Sequence, residues 1–250
     1  MKNKKLKFIV AGLAISSLVV GGTFAWLGAN DSVKNVFLTE TSQKSGVRVD
    51  EDFDNDNAEE MKTGESQAVK KQVRVQNTSD YNSLIRARIE LEMKFTDENG
   101  DVHDITDELS QYVNYTYSSH VSLDGTNTSV GTWTYNQDGY FYYIGNIAPD
   151  YYTNNILEKV WLSPEISKNE TYKSIKNIDF QVNVIAEGVP STIEGITSKG
   201  TEIDTETGKE YALGFGLEGD GALITALRNI ITVDSKADSS LSGGFAQKQQ

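Results

Sequence analysis

The 250-residue chain contains no cysteine, only two histidines and three prolines. Without cysteine neither a disulfide framework nor a thiolate metal site can form, so stability has to come from packing. His103 and His120 sit on separate turn-like segments, and no His-Glu-x-x-His pair is present to hold zinc. A metalloprotease therefore has no visible machinery, and neither a Gly-x-Ser-x-Gly elbow, a phosphate loop nor a dinucleotide fingerprint occurs. Paired acids are too frequent to mark a glycosidase and are read as solvated faces. No enzymatic activity, no metal and no cofactor are expected.

Positive charge is also scarce, with 23 Lys and Arg against 36 Asp and Glu and a formal net charge of −13. The first 25 residues hold four of those lysines and no acid, so the remainder carries −17. Such a surplus repels nucleic acid and anionic membrane surfaces, and it is read as solubility outside the cell. After the leader no second apolar run of about 20 residues follows, and no Leu-Pro-x-Thr-Gly sorting motif is found. Retention at a cell surface would need a partner or self-assembly.

What is present begins with an export signal. Lys2, Lys4, Lys5 and Lys7 make a basic start, Phe8 to Val20 is almost wholly apolar, and Thr23 and Ala25 are small residues at the two positions that a signal peptidase inspects. Cleavage between Ala25 and Trp26 is expected. The competing reading is an uncleaved anchor, which the Gly, Ala and Ser content of the run disfavours. Behind the leader, Ser32 to Thr39 is β-prone, with Val33, Val36, Phe37 and Leu38 as its apolar side chains, and Glu40 to Ser45 is a polar tether. A short apolar strand tied loosely to a domain must find a sheet edge, in its own molecule or in the next.

Gly46 to Val49 alternates as a strand and runs into the acid-rich stretch Asp50 to Glu60. Asp52, Asp54 and Asp56 have the spacing of a calcium loop, but Asn57 and Thr63 occupy the positions that want Gly and a bidentate Glu, so a solvated acidic loop is the better reading. The strongest fold signal is Ala68 to Phe95. Val69, Val73 and Val75 share one face of a strand, and Lys71 is the misfit on that face, snorkelling from an edge or buried for a reason. In the next strand Ile85, Ala87, Ile89, Leu91, Met93 and Phe95 alternate with Arg86, Arg88, Glu90, Glu92 and Lys94, one face for the core and one for water.

Asn99-Gly100 predicts a hairpin turn with positive φ angles. Thr106 to Leu109 is read as a short helix, Tyr112 to Tyr117 as a strand, and Ser118 to Gly131 as a loop. Trp133 and Tyr135, a turn at Gln137-Asp138-Gly139, and Tyr140 to Ile144 form an aromatic hairpin, read as core rather than as a carbohydrate platform. Ile156 to Leu162 and Ile178 to Ala186 are further strands, the last stopped by Gly188-Val189-Pro190. Strands spaced by turns predict an all-β, antiparallel sandwich with one or two short helices. Beyond Pro190 the alternation fades; Ala222 to Ile231 is read as an amphipathic helix with Leu223, Ala226, Leu227 and Ile230 on one side, and Val233 to Gln250 as a frayed polar tail. The expected division is leader 1–25, donor segment and tether 26–45, sandwich 46–189 and C-terminal extension 190–250. The Asn-x-Ser/Thr sites at Asn77, Asn114, Asn127 and Asn169 would matter only in a source that glycosylates them.

In order along the chain, these pieces resemble the camelysin and TasA group of Gram-positive biofilm-matrix proteins, most closely its BsaA-type branch. The resemblance is carried by Gly21-Gly22-Thr23-Phe24-Ala25, by Lys34-Asn35-Val36-Phe37, and by Gly46-Val47-Arg48-Val49-Asp50-Glu51-Asp52-Phe53. Further on it rests on Asn77-Thr78, on Ile85-Arg86-Ala87-Arg88-Ile89, on Trp133 through Asp138-Gly139-Tyr140-Phe141-Tyr142-Tyr143, and on Ala186-Glu187. It covers roughly residues 1 to 189, and after Ala186-Glu187 the chain departs from the expected Ala and Gln. The resemblance implies export through a signal peptidase of the endoplasmic-reticulum type, and a jelly-roll-like β-sandwich whose subunits polymerise into matrix fibres, one subunit's N-terminal strand completing the next one's sheet. The expected partners are copies of the chain itself and other matrix components, with neither nucleic acid nor, after processing, a membrane. A monomeric surface adhesin and a camelysin-like secreted protease are the alternatives. Lys34, within the proposed donor strand, is a candidate for a covalent joint, because a lysine amine held beside Asp, Asn or Glu in a dry site can condense to an amide. The opposing reading is a solvated, outward-pointing Lys34.

Overall fold

The computed structural model describes residues 23–28, 46–53, 63–174, 178–203 and 210–231. The strands in chain order begin with β1 (Thr23–Gly28), β2 (Val47–Phe53), β3 (Val69–Asn77), β4 (Ser83–Thr96) and β5 (Val102–Asp104). A short helix, α1 (Thr106–Leu109), leads to β6 (Val113–Tyr117), β7 (Val121–Ser122), β8 (Trp133–Tyr135), β9 (Phe141–Tyr143) and β10 (Leu157–Leu162). Then come α2 (Glu170–Ser174), β11 (Asp179–Pro190), α3 (Ile193–Thr197), the hairpin β12 (Thr201–Ile203) and β13 (Glu210–Ala212), and α4 (Ala222–Ile231).

Two sheets form a sandwich. The larger has the order β1-β11-β4-β9-β8-β7 with β5 added beside β4, and the smaller has the order β2-β3-β10-β6. The all-β expectation holds, with two differences of detail. Four short helices are present among the described residues where one or two were expected. One strand pair, β7 with β8, is parallel, and β7 falls in the stretch expected to be a loop, where two residues are less than one period of alternation.

The core follows from strand parity. Val47 and Val49 of β2, Val69, Val73 and Val75 of β3, and Leu157 and Val160 of β10 are buried against Ile85, Ala87 and Met93 of β4 and Phe180, Val182, Val184 and Ala186 of β11. The aromatic hairpin is core, as expected: Trp133, Phe141, Tyr142 and Tyr143 are all buried. Each such large apolar side chain contributes roughly 1.5–3 kcal/mol relative to exposure, which is how a cysteine-free chain holds two sheets together.

Strand β11 does not stop at Gly188. It pairs with β4 from Asp179 opposite Lys94 to Pro190 opposite Ser83, with Gly188 opposite Ile85. Proline is tolerated because it is the last residue of the ladder. Gly188 is required for a different reason, since a Cβ there would lie 2.4 Å from Cγ1 of Val47 on the neighbouring sheet. The Asn99-Gly100 turn also differs in detail. Only Gly100 takes a positive φ, +89°, and the amides of Gly100 and Asp97 donate to the carbonyls of Asp97 and Asp101. That is a three-residue loop closed by a left-handed glycine, a common alternative to the two-residue turn.

The C-terminal part is a second, smaller core laid on the outer face of the large sheet. Ile196, Phe215, Ile224, Leu227 and Ile230 bury Leu84, Tyr142, Ile144 and Val189, which point away from the main core. The helix at 222–231 is present, and its most buried side chains are Ile224, Leu227 and Ile230, with Leu223 and Ala226 at the margin.

Candidate assembly edge and its flanking polar network

The outer edge of β11 is occupied by β1, antiparallel, from Thr23 opposite Val184 to Gly28 opposite Asp179. The bond expected to be cleaved therefore lies within a paired strand, Ala25 being opposite Val182 and Trp26 opposite Gln181. Val33, Lys34, Val36, Phe37 and Leu38 lie outside the described residues, as does the tether from Glu40 to Ser45. On the other sheet β2 is the corresponding rim strand, and the contact of Val47 with Gly188 shows how closely the two rims approach.

Beside this edge runs a closed polar network that parity alone assigns to water. Arg86 and Glu187 are cross-strand partners on β4 and β11. The Arg86 Nε donates to Glu187 Oε2 at 2.7 Å, and its Nη1 donates to the Tyr142 hydroxyl at 3.2 Å and to the carbonyl of Phe215 at 3.1 Å. The guanidinium lies over the rings of Tyr140, at 4.1 Å, and Phe215, at 4.9 Å. Tyr140 donates to Glu187 Oε1 at 2.9 Å, and Tyr142 donates to Asp138 at 2.6 Å. Burial and the bond to Asp138 push the Tyr142 phenol up. Burial alone would lower the Arg86 pKa, but Glu187 and Tyr142 outweigh it and the net direction is upward. Each member is satisfied by another, so the cluster fixes the C-terminal core against the sheet. The expectation that this face of β4 is wetted is thus corrected at Arg86 alone, which Phe215 and its surroundings cover, whereas Arg88, Glu90, Glu92 and Lys94 do reach solvent.

A second buried cluster lies where β3 crosses to β4. The Asn77 amide nitrogen donates to the carbonyls of Tyr81 at 2.7 Å and Ile147 at 2.8 Å. Its Oδ1 accepts from the Ser79 amide at 2.9 Å, the Ser79 hydroxyl at 2.6 Å and the Ser83 hydroxyl at 3.2 Å. The Asn77-Thr78-Ser79 site is therefore consumed by the fold.

Lys71 is buried, and its Nζ donates to Glu51 Oε1 of the adjacent strand. Of the two readings of the misfit lysine, burial is the one found. Asp52, the first acid of the calcium-like spacing, pairs with Lys70 at 2.5 Å, while Asp54 and Asp56 lie outside the described residues. The histidines stand apart: His103 stacks on Phe95 with centroids 4.7 Å apart and its Nε2 meets Asp97 at 3.0 Å, whereas His120 donates its amide to Ser118. Among the described residues no group of three His, Cys, Asp or Glu could hold a metal ion, and no helix is long and apolar enough to cross a membrane.

Glu51, Glu187 and Gly188 are the site residues that the sequence reading did not single out. For Glu51 a signal existed, since parity puts it on the same face as Val47 and Val49. Compared with known proteins, the chain matches no family model, no curated protein and no solved structure.

Proposed function

We propose that this chain is an exported structural subunit of extracellular matrix fibres, of the camelysin and TasA kind, that polymerises by lending an N-terminal strand to the sandwich of the next copy. One observation carries the reading: the outer edge of β11 takes up an N-terminal strand, β1, whose middle is the expected cleavage bond between Ala25 and Trp26. Removing residues up to Ala25 takes away the half of β1 that faces Val182 to Val184 and leaves the backbone groups on that side of β11 without partners, while the ladder to β4 remains. An uncovered edge of this kind is a template for a strand from another molecule, with main-chain hydrogen bonds giving affinity and alternate side chains giving specificity. The Ser32 to Thr39 segment supplies a β-prone strand with Val33, Val36, Phe37 and Leu38 for the pockets. The acidic balance and the absence of cysteine suit a protein that is soluble outside the cell.

The test is electron microscopy of the secreted protein, with mass spectrometry of its N-terminus. Fibres built from chains that begin at Trp26 are expected, and the double variant Val36→Asp, Phe37→Asp should remain a folded monomer. Normal fibres from that variant would rule out the strand exchange, and a monomeric wild-type protein would favour an adhesin.

A further inference from the structure

The most deeply buried opposite charges in the sandwich lie directly against each other. Lys71 of β3 is fully buried, the Glu51 side chain of β2 is 6% exposed, and the amine donates to Oε1. The register places Phe53 opposite Lys71 and Glu51 opposite Val73, so lysine and glutamate are diagonal neighbours on the inward face. Their surroundings are apolar: Val69 and Val73 flank Lys71 along its own strand, and the amine lies 5.4 Å from the centre of the Phe53 ring. The other carboxylate oxygen of Glu51, Oε2, is buried with no hydrogen-bond partner among the described residues. An ion pair in a dry interior needs its remaining lone pairs satisfied to offset desolvation, and this one leaves an oxygen bare.

We propose that Lys71 and Glu51 condense to an intramolecular amide that ties β2 to β3. A proton passes from the ammonium to the carboxylate, giving a free amine and a neutral carboxyl. The nitrogen lone pair then attacks Cδ of Glu51. The carbon–oxygen bond of the hydroxyl breaks, the hydroxyl takes a proton from the nitrogen, and it leaves as water. One Nζ–Cδ bond is formed and one water is released, with no oxidant, reductant or other co-reactant. The site favours each stage. Burial drives the lysine pKa down against the opposing pull of Glu51, which raises the share of nucleophilic amine. The strands hold nitrogen and carboxyl in contact, which replaces an encounter by a fixed approach. The product is neutral, so the cost of keeping two charges out of water disappears.

The experiment is intact-mass measurement of the purified mature protein, followed by denaturing tryptic digestion. The expected result is a mass one water below that of the sequence, and a branched peptide joining the Glu51 and Lys71 segments with no cleavage at Lys71. A Lys71→Met variant, which fills the same space without charge, should show the full mass and separate peptides. Wild-type protein of full mass with both segments recovered unlinked would overturn the proposal, as would a water deficit that persists in Lys71→Met. Polymerisation does not enter this readout: a linked monomer would uphold the amide and count against the fibre, and unlinked fibres would do the reverse.

Discussion

Asn77 holds the crossover from the small sheet to the large one by spending its whole side-chain amide on the local backbone and on Ser79 and Ser83. Replacing it by alanine leaves the buried Ser79 amide without its acceptor, at about 1–3 kcal/mol, and removes one of the two donors to each of the Tyr81 and Ile147 carbonyls, which keep the Ser79 hydroxyl and the Ser83 amide. Asn77→Ala should therefore lower the unfolding free energy by about 2–4 kcal/mol, and an unchanged urea midpoint would contradict the role. At the β4–β5 turn, Asp97 accepts from the amides of Asn99 and Asp101 and meets His103. These bonds, that to His103 foremost, hold its carboxyl at about 2, below the ordinary 3.8. A carboxyl with a lowered folded-state pKa stabilises fully above its unfolded value and loses that contribution as the pH falls through the folded one. The turn should thus keep its order down to about pH 4 and lose it towards pH 2; an NMR titration of the Asp97 carboxyl with a midpoint near 4 would contradict this. The sequence showed Lys71 as an anomaly, while the parity that puts its partner Glu51 on the face of Val47 and Val49 was easy to overlook within the acid-rich run that begins at Asp50.

Among the elements, α4 has the plainest task, closing the second core over Leu84, Tyr142 and Ile144. Leu227 is its most buried residue. Truncation to alanine should cost roughly 2–5 kcal/mol, and hydrogen exchange should quicken first in residues 193–231, before the sandwich strands. Equal loss of protection everywhere would mean that the two cores unfold as one. Elements were legible in proportion to their length. Strands β4 and β11 span many periods of alternation with one face in the main core, and both were visible. Strands β5, β7, β12 and β13 have two or three residues each, too few to display a period. The outward face of β4 was misread at Arg86 because a cover supplied by residues far along the chain leaves no mark on the strand it covers. As for the assembly edge, sequence could mark the cleavage bond and a β-prone segment behind it, but which rim accepts a strand is a property of sheet order, and sheet order is not written in alternation.

For the whole molecule, the pairing of β4 with β11 has a consequence in time. The pair closest along the chain, Lys94 with Asp179, is separated by 85 residues, and the farthest, Ser83 with Pro190, by 107. A ribosome adding roughly 5–20 residues per second leaves β4 waiting some seconds for its partner. Local hairpins such as β8 with β9 can close in microseconds, so they are available first. The β4–β11 ladder must instead close these long loops before any of its hydrogen bonds is gained. Throughout that interval the apolar side of β4 is open to any other strand, and the chain is at its most vulnerable to pairing with the wrong one.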